Sequence, residues 1–301
     1  MAATVSSQSS GVQQARAAPA ASRWLRRALN LAHRDTLACI GALFLLGVFT
    51  GAAFAPVFSP YNPTTPNVRE RLALPSPAHP FGTDELGRDL FARILYGARP
   101  ILATGVLSVC VALLLGGAIG TASGYRGGWL DNALMRLMDI VLSFPAILFA
   151  ILIVAALGAG LVNLIIAITF SLVPVFARLT RSFVLSLNHQ DYVLAARTLG
   201  CGDGGIVCRH LLPNMLPLLL VQTTALLATA FSTSAALSFL GLGVAPPTPD
   251  WGMMVSDGQR LVFDAPHVPF FPGLVIALTV MSVNFVGDGL RDHLDPALRN
   301  R

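Results

Sequence analysis

The sequence contains no lysine, and all 20 of its basic residues are arginine. A Walker A loop needs a lysine to reach the terminal phosphates of ATP, so this chain is not expected to hydrolyse ATP through such a loop. Charge of either sign is also scarce, since 12% of the residues are charged and 54% are hydrophobic. A soluble domain usually has about 25% charged residues. The composition therefore predicts that lipid forms part of the solvent of this chain.

Cysteine is infrequent and does not suggest a cross-linked scaffold. The four cysteines are Cys39, Cys110, Cys201 and Cys208. Cys201, Cys208 and His210 lie near one another in the sequence, but their spacing is not a recognised zinc pattern. Neither a disulfide framework nor a metal site is predicted, and no cofactor is expected to bind this chain.

Apolar runs predict an all-α membrane protein with six transmembrane helices. A bilayer core of about 30 Å requires about 20 apolar residues in a helix. The uncharged stretch 140–177 is too long for one helix, and Gly158 and Gly160 predict a reversal within it. The prolines Pro145 and Pro174 are each expected to kink their helix. The predicted spans are 37–57, 101–123, 140–157, 161–177, 217–243 and 269–286, preceded by a flexible tail over 1–36 and together forming a transmembrane domain over 37–298.

The distribution of arginine predicts that both termini lie in the cytoplasm. With the N-terminus inside, the inner segments hold 14 arginines and eight acidic residues, and the outer segments 58–100 and 244–268 hold six and seven. Cytoplasmic loops of membrane proteins carry the excess of positive charge. Within the first outer segment, a helical pattern begins near Glu85, and Asp84, Arg88 and Asp89 are candidates for ion pairs that order it.

None of the predicted spans has an ionisable residue near its centre. Ion-coupled carriers and intramembrane enzymes usually bury such residues, so both classes are disfavoured. The spans offer hydroxyls and amides instead, which either line a weakly polar path for a solute or join helices through hydrogen bonds worth about 0.6 kcal/mol each. Both interpretations stay open. The candidate path residues are Gln222, Thr223, Thr229, Ser232, Thr233 and Asn284.

The strongest local pattern lies in the inner loop 178–213. It combines the run DYVLAARTLG over 191–200, a glycine cluster, and a predicted short second helix that ends at Pro213. The pattern resembles the EAA motif of ABC importer permeases. Two positions depart from it, because Leu194 stands where the motif has glutamate and His210 where it has isoleucine; Asp191 is a candidate to supply the missing charge.

The EAA resemblance implies a set of residues that couple this chain to an ATPase. Small alanines let helices approach closely, and glycine permits the bend between them. The helix near 203–210 is expected to dock on the partner. The implied coupling residues are Asp191, Ala195, Ala196, Gly200, Asp203, His210, Leu212 and Pro213.

Three further stretches, at 81–99, 237–252 and 284–296, resemble the C-type subunit of the dipeptide/oligopeptide/nickel permease family. The resemblance covers residues 35–298 and implies a type I ABC importer permease fold in the bacterial inner membrane. It implies a homologous second permease, two ATPase subunits that bind ATP and magnesium, and an extracytoplasmic solute-binding protein, with lipid around the chain and no nucleic acid.

The expected activity is import of di- or oligopeptides by alternating access, without catalysis by this chain itself. Glutathione-like peptides and nickel or a metal chelate are the alternative substrates within the same machinery. A channel that works without ATP is the remaining rival, and it predicts transport by the chain alone.

Overall fold

The computed structural model describes residues 36–294, with side chains as far as residue 293. Within that range the chain is helical, and its one strand-like feature is an isolated bridge between Thr83 and Asp89. The predicted all-α class is confirmed. The helices are α1 (Thr36–Ala53), α2 (Ala55–Phe58), α3 (Leu90–Arg126), α4 (Gly128–Leu142), α5 (Ala146–Leu157), α6 (Leu161–Asn188), α7 (Asp191–Thr198), α8 (Asp203–Phe239), α9 (Trp251–Gly258) and α10 (His267–Leu294).

Five of these helices, α1, α3, α6, α8 and α10, are long and apolar enough to cross a membrane. The pair α4 and α5 passes the same test only when taken together, and its two halves are bent by 88°. Helix α1 is buried in the described chain only at Gly41, Gly51 and Ala52. Such wide apolar exposure is typical of a helix that faces lipid.

A single helix over 140–157 is not what the structure contains. Helix α4 ends at Leu142 and α5 begins at Ala146, so the region around Pro145 is a corner rather than a kink. A proline disfavours helical backbone at the residue before it, here Phe144, and it also lacks an N–H. By contrast, Pro174 lies inside α6 without interrupting it.

The predicted short helix ending at Pro213 is likewise corrected, because that helix continues to Phe239 as α8. A π-helical turn over Ile206–Leu211 joins the first residues of α8 to the α-helical part, Leu212–Phe239. The π turn shifts the hydrogen-bonding register just before Pro213. Pro213 therefore lies in the first turn of a new α-helical segment, where a missing N–H costs little.

Helix α3 begins at Leu90 and ends at Arg126, so it extends beyond both ends of the predicted span 101–123, mostly at its N-terminal end. The carboxylate of Asp89 caps its N-terminus by accepting a hydrogen bond from the amide of Ala92 at 2.6 Å. With 37 residues, α3 is about 55 Å long at 1.5 Å per residue. It therefore connects the two ends of the bundle.

The closest helix packing joins α3 to α6 through three glycines four residues apart. A Cβ atom on Gly116 would lie 2.6 Å from the Cβ of Phe176, and one on Gly120 would lie 2.7 Å from the Cβ of Thr180. Gly124 meets the carbonyl of Arg181 in the same way. Small residues at this spacing let transmembrane helices approach until their backbones touch.

Candidate coupling elbow and solute path

The segment 189–213 forms a compact elbow at one end of the bundle. Its buried anchors are Val193 on α7 and Ile206 and Leu211 on α8, which pack with Val184 of α6 and Met215 of α8 in one hydrophobic cluster. Val193, Ile206 and Leu211 are each 0% exposed. The elbow is thus packed against the ends of two long helices, α6 and α8.

Gly200 makes the sharp turn between α7 and α8. Its φ is +83°, in the left-handed region, and a Cβ there would meet nothing within 4 Å. The Gly200 amide donates to the carbonyl of Arg197 at 3.1 Å, and the Cys201 amide donates to that of Ala196 at 3.0 Å. This pair of bonds is a Schellman motif. Glycine is required here for its backbone conformation rather than for space.

The predicted coupling residues lie mostly on the surface of this elbow. His210 and Ala196 are half-buried, and the other six are exposed: Asp191, Ala195, Gly200, Asp203, Leu212 and Pro213. Large apolar side chains accompany them, with Leu199 88% exposed and Leu194 45% exposed. The leucine in place of the motif's glutamate therefore adds to an apolar surface. Coupling itself stays a prediction.

Polar contacts connect the elbow to the rest of the bundle. The hydroxyl of Tyr125, near the end of α3, donates to Asp203 Oδ1 at 2.6 Å. The side chain of Arg197 lies over the Tyr125 ring, 5.9 Å from its centroid. A largely apolar cleft of about 720 Å³ separates this end of α3 from α8. The hydrogen bond therefore bridges two helices that are not in close contact along this stretch.

A second connection stabilises the corner between α3, α4 and α6. Arg181 of α6 donates from Nε and from Nη2 to the two carboxylate oxygens of Asp131 of α4, both at 2.6 Å. Ser123 of α3 donates to the same carboxylate. A bidentate pair of this kind fixes orientation as well as distance. Arg181 therefore has a structural partner besides its contribution to the charge bias.

Within the part of the chain that the structure describes, two of the six candidate path residues line one pocket. Gln222 of α8 and Asn284 of α10 line a polar pocket of about 280 Å³. Thr223, Thr229 and Ser232 each donate a hydrogen bond to a carbonyl of their own helix, α8. These hydroxyls therefore do not join α8 to another described helix. Thr229 and Ser232 are exposed and Thr233 is half-buried, and path lining by these residues remains a prediction.

The opposite end of the bundle carries a network of charged residues around the start of α3. Asp84 and Arg88 form the predicted ion pair, with Nε and Oδ2 2.7 Å apart. Asp89 does not join that pair, because its other oxygen contacts His79 Nδ1 at 2.9 Å while it caps α3. The side chain of Arg93 lies 3.4 Å from Asp84 and also donates to the carbonyl of Pro63.

Trp251 and Asp250 attach α9 to this end. The indole N–H of Trp251, which is 1% exposed, donates to the carbonyl of Ile94 at 2.8 Å. Asp250 caps α9 by accepting from the amides of Gly252 and Met253, and it also accepts from the hydroxyl of Ser238 at 3.1 Å. Burial raises the pKa of Asp250, and these three hydrogen bonds oppose that shift.

Substitution of Asp250 separates capping from charge. Asp250→Ala is expected to lower the free energy of unfolding by about 1 kcal/mol through loss of the cap, whereas Asp250→Asn keeps an acceptor and is expected to change it little. A raised folded-state pKa means that the ionised form is penalised above that pKa. Lowering the pH from neutral should therefore stabilise the wild type relative to Asp250→Asn, as measured by thermal unfolding in detergent. An equal pH response of the two proteins would contradict this assignment.

Sequence reasoning missed two features that the structure makes prominent. The three glycines of α3, Gly116, Gly120 and Gly124, recur every four residues in the sequence. They were not singled out because the same span contains other small residues. Asp288 and Arg291 line the same pocket as Gln222 and Asn284. They lie beyond the predicted sixth span and were considered as loop charge and as part of the family-resembling stretch 284–296, not as pocket residues.

Comparison with known proteins agrees with this geometry. Residues 112–300 match the family described as the binding-protein-dependent transport system inner membrane component, and residues 22–75 match the N-terminal TM domain of oligopeptide transport permease C. The dipeptide transport system permease protein DppC of Alkalihalophilus pseudofirmus is 43% identical over 281 residues, which are 93% of this chain and 92% of that protein.

A second relative and a solved structure are also similar to this chain. The glutathione transport system permease protein GsiD of Pectobacterium atrosepticum is 41% identical over 268 residues, 89% of each chain. A solved chain of the MetNI methionine ABC transporter, in an inward facing conformation, has a TM-score of 0.57 and 21% identity over 67% of this chain and 96% of its own. That likeness supports the predicted type I fold. This chain belongs to the family of binding-protein-dependent transport system inner membrane components, as an ABC importer permease of the peptide and nickel branch.

Proposed function

We propose that this chain is one of two permease subunits of an ATP-driven importer that moves small peptides into the cell. The observation that carries the proposal is the 43% identity to a dipeptide permease over 93% of this chain. The elbow over 189–213 also has the features that a lever requires, namely a sharp turn, buried anchors and an exposed apolar surface. The second permease is proposed to be a homologous chain that completes a heterodimer.

The elbow supplies the mechanism by which nucleotide binding in a separate ATPase opens the path. An ATPase that binds the exposed surface around Leu199 moves α7. The hydrophobic cluster that Val193 forms with Ile206 and Val184 transmits that movement to α8 and α6. Because α8 carries most of the candidate path residues, displacement of the elbow changes the lining of the path. We place the elbow and both termini on the cytoplasmic side, consistent with the arginine bias.

The solute-binding protein is proposed to meet the opposite end, around the start of α3 and α9. Ion pairs and the Trp251 contact order this surface. A prearranged surface lowers the cost of association, because fewer side chains lose freedom on binding. Selection of the solute before it enters the membrane is assigned to that protein.

A transport assay with three substrates tests the proposal. Proteoliposomes that contain the whole complex and its binding protein are expected to accumulate a labelled dipeptide when ATP is supplied on the side of the ATPase, and not with a non-hydrolysable analogue. Glutathione, itself a tripeptide, is the second candidate because of the relative at 41% identity. Uptake of nickel ions without either peptide would contradict the peptide assignment.

A further inference from the structure

The polar pocket between α8 and α10 combines amide, hydroxyl, carboxylate and guanidinium groups, which no other pocket described for residues 36–293 does. Its lining includes the amides of Gln222 and Asn284, the hydroxyl of Thr224, the carboxylate of Asp288 and the guanidinium of Arg291. Its volume of about 280 Å³ is close to the lower end of the range for ligand sites, about 300–1,000 Å³. A pocket of this size suits a small solute.

The two charged groups in this pocket are unpaired in the described chain. Asp288 and Arg291 make no salt bridge with each other or with another described residue, although they lie three positions apart on one helix. Both side chains are exposed in the described chain, so each is open to a ligand. A carboxylate and a guanidinium that share a pocket without pairing present one site for a cation and one for an anion.

The two amides that line the same pocket match the chemistry of a peptide bond. Gln222 and Asn284 each offer a carbonyl oxygen and an NH₂ group, so each can accept from an amide N–H and donate to an amide C=O. The hydroxyl of Thr224 already donates to the carbonyl of Val221 at 2.7 Å, which leaves its oxygen as an acceptor. The polar side chains of the pocket therefore offer both donors and acceptors to a ligand, beside the apolar Val221 and Ala225.

We propose that this pocket binds the zwitterionic main chain of a small peptide on its way through the path. Asp288 receives the terminal ammonium, Arg291 receives the terminal carboxylate, and Gln222 and Asn284 contact the peptide bond. The Cβ atoms of residues three apart on a helix are about 5–6 Å apart, and an extended dipeptide spans about 7 Å. A ligand of single charge leaves one of the two side chains without a partner. This inference rests on the proposed function and specifies which part of the peptide the membrane chain recognises.

Binding of charge-blocked peptides tests the inference. The complete permease–ATPase complex, in nanodiscs without the solute-binding protein, is titrated with radiolabelled dialanine, N-acetyl-dialanine and dialanine amide. The wild type is expected to bind dialanine about tenfold more tightly than either blocked form, since each block removes a charge-assisted hydrogen bond. Asp288→Asn should abolish the preference for the free ammonium and keep the preference for the free carboxylate. Arg291→Gln should do the reverse.

Matched controls separate local recognition from general charge. Asp292→Asn removes the neighbouring exposed carboxylate, which does not line the pocket, and Arg136→Gln removes an exposed guanidinium on α4. Both controls are expected to keep the wild-type ranking of the three peptides. If the pocket variants also keep that ranking, or if the wild type does not bind dialanine, the inference is overturned. ATP-dependent uptake by the same wild-type complex with its binding protein reports separately on the proposed function.

Discussion

Gly120→Leu is expected to prevent α3 and α6 from packing together and to reduce strongly the amount of correctly folded chain in the membrane. A Cβ at this position would lie 2.7 Å from the Cβ of Thr180 and 2.9 Å from the backbone nitrogen of Arg181. Backbone atoms inside α6 cannot move aside without displacing the helix. Overpacking of this kind costs about 1–3 kcal/mol and occasionally more, a substantial part of the stability of a typical domain.

The measurement is the amount of correctly folded chain, read as the monodisperse fraction of a fluorescent fusion in detergent together with its thermal midpoint. Gly117, three residues before Gly120, provides a matched control, because a Cβ there would meet nothing within 4 Å. Gly117→Leu makes the same change on the same helix and is expected to leave both readings near those of the wild type. Equal loss in the two variants would show that leucine is harmful on α3 for a reason other than the contact with α6.

Leu199→Asp is expected to reduce peptide uptake at least tenfold while the chain still folds. The side chain is 88% exposed, so the described chain does not depend on it for packing. Burial of a leucine in a partner contributes about 1.5–3 kcal/mol, and an aspartate in the same place also needs to lose its hydration. Either effect alone accounts for a tenfold change.

The readouts for this variant are uptake and ATP hydrolysis by the same reconstituted complex. Leu199→Met keeps the apolar character and is expected to retain most of the uptake. Since Leu199 follows α7 directly and precedes the Gly200 turn, loss of uptake with normal chain abundance assigns the defect to the contact rather than to the fold. Full uptake by Leu199→Asp would show that the apolar surface of the elbow is not gripped by the ATPase.

The sequence predicted the turn of the elbow at Gly200, although not the continuation of α8 beyond Pro213, because the signal for the turn is local. A glycine that follows a helical segment indicates a helix end at that residue. Gly200 confirms this, since its φ of +83° lies in the left-handed region that such a helix end uses. The absence of ionisable residues from the spans, together with the apolar runs, was sufficient for the all-α membrane class. These inferences need no knowledge of tertiary packing.

The prolines were harder to interpret, because their effect depends on what surrounds them. Pro145 breaks the chain into α4 and α5, Pro174 is accommodated inside α6, and Pro213 sits just after a π-helical turn. A proline can thus stand at a helix boundary or inside a helix. Which of these occurs depends on whether the backbone carbonyls near it find other hydrogen-bond partners. Sequence alone does not reveal those partners.

The polar pocket could be anticipated only in part. Gln222 and Asn284 were identified because amides are unusual in apolar spans, but their proximity depends on how α8 packs against α10. Asp288 and Arg291 lie near the end of α10, where charge is ordinary, and the resemblance of the stretch 284–296 to a permease family does not indicate a pocket. Their relevance comes from a shared pocket and from the lack of a partner within the described residues, both of which require coordinates.

If transport is driven through the elbow, this chain moves peptide only when a separate ATPase acts on it. Uptake of a labelled dipeptide is measured in proteoliposomes that contain both permeases, the binding protein and an ATP supply, prepared with and without the ATPase subunits. Accumulation against a gradient is expected when the ATPase is present, and none when it is omitted. Accumulation or rapid equilibration of the dipeptide without the ATPase would contradict this expectation.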